Sequence, residues 1–98
     1  MAQVNRTTDM QPEIDYHLDY QFQSWQGIPE YAGWWPEMEA SEKEVFHLEW
    51  VGITQSRLGQ LQRWAEQGCL TPAQQARYEE LLQLIERHRP TLEWLLEH

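Results

Sequence analysis

The sequence predicts a mainly α protein. An antiparallel αα-hairpin should run from Ser41 to the C-terminus, completed by a second copy or a partner, after an extended aromatic N-terminal arm that admits one strand. Two observations predict the hairpin. Ser41-Glu42-Lys43-Glu44 and Thr71-Pro72-Ala73-Gln74 are capping-box patterns, and each opens a run of apolar residues at three- and four-residue spacing. Only residues 68–71 separate the two runs, so the helices must turn back on one another. A third observation sets the arm apart: Glu13 to Gln23 alternates between apolar and polar residues.

Residues 1–40 form the expected arm. Its first residues are polar, and Pro12 marks a break. Over 13–23, Ile14, Tyr16, Leu18, Tyr20 and Phe22 alternate with Asp15, His17, Asp19 and Gln21, which with the aromatic enrichment argues for a strand. The rival reading is an amphipathic helix, because Ile14, Leu18, Phe22 and Trp25 also share one helical face. A lone strand leaves its amides and carbonyls without partners, so it would have to pair with another chain. Gly27, Pro29, Gly33 and Pro36 then break up a stretch holding Tyr31, Trp34 and Trp35. Those rings either plug the end of the helical pair or enter a partner's pocket, where Trp and Tyr dominate binding energy.

The helices are expected at about 42–67 and 72–97. In the first, Val45, Leu48, Val51, Leu58, Leu61 and Ala65 make the apolar face, widened at its start by Phe46, Trp50 and Ile53. Gly52 and Gly59 weaken it and allow a kink, and Gly68 suits a left-handed end. In the second, Pro72 occupies the first helical position and Tyr78, Leu81, Leu82, Ile85, Leu92, Leu95 and Leu96 carry the face. Pro90 interrupts that helix, but the apolar spacing continues past it. Each arm is about 39 Å long. Two helices alone make a thin core, so a third element or a second copy should cover the open side.

Charge narrows the function. Sixteen acids against seven basic residues give a net charge of −9 at pH 7. With Lys43 as the single lysine, direct binding to nucleic acid is not expected, because phosphate contacts need Lys and Arg. The charge instead favours attraction to a basic protein. No apolar run is long enough to cross a membrane, and the first residues lack the apolar core of a signal peptide. One cysteine, Cys69, has no partner for an internal disulfide, which fits a cytoplasmic protein.

No spacing selects a catalytic set, so no enzyme and no cofactor are expected. Glu44-x-x-His47 is the one pair with metal precedent, since residues three apart share a helical face. Further ligands from Glu42, Glu79 or Glu80 in a dimer would give an oxidase-type helical site. Cys69 precedes a helix start but has no His-plus-acid arrangement. His17, His88 and His98 read as solvated or packed. The chosen site is therefore a partner-binding surface: Tyr16, Tyr20, Trp25, Tyr31, Trp34 and Trp35 for buried contact, with Asp15, Asp19, Glu37 and Glu39, aided by Asp9 and Glu30, for attraction.

Residues Gly68-Cys69-Leu70-Thr71-Pro72-Ala73-Gln74-Gln75-Ala76-Arg77-Tyr78-Glu79-Glu80-Leu81-Leu82, with Arg89-Pro90 and the Leu-rich close, resemble the tails of small uncharacterised bacterial antitoxin-like proteins. That resemblance covers the C-terminal third and brings no functional residues with it. It implies a small bacterial partner protein. The resulting expectation is a binding module that neutralises or tethers a more basic protein. The alternatives are a self-assembling helical structural protein and the Glu/His metal-binding dimer.

Overall fold

The computed structural model describes residues 6–98, with side chains from Met10 onward, so Asp9 lies outside the described side chains. Helix α1 spans Arg6–Gln26 and α2 Ile28–Trp34, followed by a 3-10 turn at Trp35–Glu37. Helix α3 (Ala40–Glu49) passes through a π turn (Trp50–Thr54) into α4 (Gln55–Glu66), and α5 spans Pro72–Glu97. The chain is thus mainly α, with no strand among the described residues. Three long rods, α1, α3–α4 and α5, make an elongated molecule of 55 × 24 × 17 Å.

The N-terminal region corrects two expectations. Residues 13–23 are helical rather than a strand, and the arm is folded rather than extended. A helix satisfies its own amides and carbonyls, whereas the strand had no partner in the chain. It also gathers Ile14, Leu18, Gln21 and Trp25 on one stripe, and all four are buried. The stripe lies against both other rods. Gln11 and Asp15 meet Gln74, and Asp19 meets Arg77, so α1 runs parallel to α5. Tyr16 meets Arg57, Tyr20 meets Thr54 and Trp25 meets Trp50, so α1 runs antiparallel to α3–α4. The missing third arm is therefore α1 itself. A single core draws on both sides of residue 40, from Ile14 to Leu95.

Helix ends follow the sequence at one box and shift at the other. Thr71 caps α5: its hydroxyl accepts from the Gln74 amide at 3.1 Å, and the Gln74 side chain accepts from the Thr71 amide at 3.0 Å. Gly68 takes φ +75° just past α4, the left-handed conformation that favours glycine. Pro90 stays within an unbroken α5, exposed, with Leu92 and Leu95 buried beyond it. The first box belongs to Glu39 and Glu42, not to Ser41 and Glu44. Backbone at Met38 and Glu39 is already extended (ψ 141° and 160°), so the helix starts at Ala40 with the same spacing two residues earlier.

The face of α3 also differs from expectation. Phe46, Trp50 and Thr54 are buried, while Val45, Leu48, Val51 and Ile53 are 41–67% exposed. The rings remove more apolar area from water than the aliphatic chains, so they take the core side. Their four-residue steps overshoot an α-helical turn by about 40° each. The π turn, in which the Gln55 amide donates to the Trp50 carbonyl, takes up that overshoot. Leu61 and Trp64 thereby stay in the core about two and three turns later.

Two glutamines lock the rods together. Gln21, fully buried, donates to the Thr54 carbonyl at 2.9 Å and accepts from the Trp25 indole at 3.2 Å. Gln74 donates from its amide group to Asp15 at 2.9 Å and to the Gln11 carbonyl at 3.3 Å. Its place in the capping box thus also fixes the start of α5 against α1. His17 packs edge-on to Trp64 at 5.0 Å. Burial pushes its pKa below the ordinary 6.5, outweighing a hydrogen bond toward the Arg57 backbone, and the Arg57 charge adds to the lowering.

Candidate partner-binding cleft

Helices α2 and α3 diverge from the 3-10 turn and leave a cleft of ≈ 530 Å³ between them. Tyr31 and Trp34 enter from α2, Glu37 and Met38 from the turn and its exit, and Glu42, Val45, Phe46 and Glu49 from α3. Local sequence explains the arrangement. Pro29 and Pro36 suit the starts of α2 and the 3-10 turn, where a missing amide costs nothing. Glu42, Val45 and Glu49 fall at i, i+3 and i+7, one face of α3.

Rings form the floor and carboxylates the rim. Tyr31 meets Trp34 at 5.8 Å and 71°, and Phe46 at 4.8 Å and 55°. Behind them Trp35 is edge-on to Phe46 at 5.4 Å and is itself buried. Trp34 is 57% exposed. Among the described residues the ion pairs are Asp19–Arg77 at 2.7 Å and Glu86–Arg89 at 3.5 Å, and neither involves a carboxylate of the cleft. Lys43 sits 5.2 Å from the Trp35 ring, behind the floor. A second cavity of ≈ 220 Å³ adjoins, sharing Tyr31, Phe46 and Glu49 and adding Tyr20, Trp50 and Thr54.

The expected site residues separate into groups. Tyr31, Trp34 and Glu37 come together in the cleft. Trp25 and Trp35 are core residues, 4% and 2% exposed, and have no surface to offer a partner. Tyr16 and Tyr20 lie where α1 faces α4, under Arg57, whose guanidinium is 5.5 and 4.5 Å from their rings. Asp15 and Asp19 are engaged by Gln74 and Arg77 of α5. Glu39 caps α3, and its amide donates to Glu42 at 2.8 Å. Sequence reasoning missed Met38, Glu42, Val45, Phe46 and Glu49. The i, i+3, i+7 spacing of Glu42, Val45 and Glu49 is the signal for them, masked because Val45 also fits the apolar face of the helix.

Other candidates are dispersed. Glu44 is exposed and His47 half-buried, and among the described residues no three His, Cys, Asp or Glu side chains gather into a metal-sized group. Cys69 is half-buried in the turn before α5, and its carbonyl accepts from Gln11 at 3.2 Å. His98 stacks on Trp94 at 4.3 Å. No described helix is long and apolar enough to cross a membrane. No family model, no curated protein and no solved structure matches the chain.

Proposed function

We propose that this protein is a small acidic binding module that neutralises or tethers a more basic protein, in the manner of an antitoxin, and that the α2–α3 cleft is its contact surface. One observation carries the reading: a cleft lined by the rings of Tyr31, Trp34 and Phe46 is rimmed by Glu37, Glu42 and Glu49, none of which is in an ion pair among the described residues. Exposed aromatic area beside uncompensated negative charge suits an interface with a positively charged surface. The hairpin expected over residues 41–98 corresponds to the α3–α4 and α5 rods, and α1 packs against both of them.

Self-association is the second reading, favoured by the exposed stripe of Val45, Leu48 and Val51 beside the cleft. Charge weighs against it. Residues 37–49 hold Glu37, Glu39, Glu42, Glu44 and Glu49 against Lys43 alone, so two copies meeting there would repel.

Capture of the tagged chain's partners from its native cells at physiological salt, followed by reassembly from purified components, tests the proposal. The expected result is one stoichiometric basic protein whose binding weakens as salt rises. A homodimer by light scattering with no reconstituted partner would overturn the proposal in favour of self-association.

A further inference from the structure

Aromatic faces with a polar acceptor beside them recur on this surface, and two of them hold an arginine. Arg57 lies 4.5 Å from the Tyr20 ring and donates to the Tyr16 hydroxyl at 3.1 Å. Arg77 lies 5.3 Å from the Phe22 ring and pairs with Asp19 at 2.7 Å. In both, a planar guanidinium covers a ring while its N–H groups reach an acceptor, a geometry that suits arginine better than lysine.

The α2–α3 cleft repeats that chemistry on a larger scale. It offers Tyr31, Trp34 and Phe46 as ring faces and Glu37, Glu42 and Glu49 as acceptors. Among the described residues, no arginine lines it, and Lys43 lies against Trp35 instead. Its ≈ 530 Å³ falls within the range of about 300–1,000 Å³ that accepts a ligand group. Hydrophobic burial alone does not account for Trp34, which is 57% exposed at the mouth.

We infer that the cleft is an arginine-binding site, and that its occupant is an arginine side chain presented by a basic segment of the partner protein. This inference rests on the proposed binding function and names the chemistry it recognises. The guanidinium stacks against Trp34 and Tyr31 and donates to the rim carboxylates. Two N–H groups reaching one carboxylate give orientation as well as affinity.

Calorimetric titration of the purified full chain tests this, using a short capped peptide of alternating arginine and glycine beside otherwise identical lysine and citrulline peptides. The arginine peptide is expected to bind, the neutral citrulline peptide not to, and the lysine peptide to bind at least about fivefold more weakly. Trp34→Ala should weaken the arginine peptide at least about tenfold, and so should Glu37→Gln with Glu49→Gln, while circular dichroism stays unchanged. The paired glutamine variant keeps the test valid should Trp34→Ala disturb the fold. Wild-type affinity in both variants would overturn the cleft as the site but leave an acidic binding module standing. Equal affinity for lysine would overturn the assignment to arginine. Failure of both cationic peptides to bind would overturn the inference, while the capture and reassembly of a basic partner decides the proposed function separately.

Discussion

The two ends of the bundle are built from different side chains. Near the α4–α5 connection, Ile14, Leu18, Leu61 and Leu81 meet with no exposed surface. At the opposite end, Trp25, Trp35, Phe46 and Trp50 join edge-to-face or stacked at 5.0–5.6 Å, beside the buried Ile28, Leu92 and Leu95. Cavities of ≈ 530 and 220 Å³ open among the aromatic residues, and a third of ≈ 300 Å³ lies between Trp25 and Trp50 and the aliphatic Leu58, Ile85, Leu92 and Leu96. Branched aliphatic chains interdigitate by choosing rotamers, whereas rigid flat rings meeting at steep angles leave space beside them. Both ends hold the rods together, and the aromatic end also carries the α2–α3 cleft.

The sharpest way to break this comparison is to truncate one large core residue at each end. Trp35→Ala should destabilise the fold by about 3–5 kcal/mol and Leu81→Ala by about 2–5 kcal/mol, read by urea unfolding. A cost below about 1 kcal/mol for Trp35→Ala would mean that the aromatic end is not true core. Gln21 ties the two ends through α1. Its replacement by Ala removes the bond to the Thr54 carbonyl and leaves the buried Trp25 indole without its acceptor, at about 1–3 kcal/mol for the unsatisfied indole.

Smaller effects sharpen the contrast. The depressed pKa of His17 means that the unfolded chain takes up its proton first as pH falls. Its contribution is complete above the unfolded value of 6.5 and is lost as pH drops through the lower folded value. Wild-type Tm should therefore fall in that window more steeply than that of His17→Phe; parallel curves would show that His17 titrates alike in both states. Smallest of all is Trp34→Ala, expected to change stability by no more than about 0.5 kcal/mol although its neighbour is a core residue. Equal losses for Trp34→Ala and Trp35→Ala would erase the distinction between the exposed ring and the buried one.

Much of the helical frame was legible in local chemistry. The capping box at Thr71, the left-handed Gly68 and the apolar spacing through Tyr78, Leu81, Ile85, Leu92 and Leu95 were all readable before the fold. Each rests on contacts within a few residues. Residues 13–23 were ambiguous because alternating and helical patterns coincide at Ile14, Leu18 and Phe22. Only the neighbours that α1 meets decide between them. Part of the cleft was legible too, in Tyr31, Trp34 and Glu37. Its α3 wall was not, because Val45 and Phe46 are adjacent apolar residues and sequence does not say which turns inward.

Sequence by itself determined where α5 begins, the excess of negative charge and the concentration of rings in residues 25–50. Tertiary structure alone decided that Trp35 is buried while Trp34 reaches solvent, and that Asp15 and Asp19 serve the chain's own packing. It also brought Glu37, Glu42 and Glu49 around one cleft. Caps, turns and composition are local properties, set by side chains close along the chain. Burial and charge pairing depend on which rods lie side by side, and here the ring sizes on α3 and the phase of its π turn set that choice.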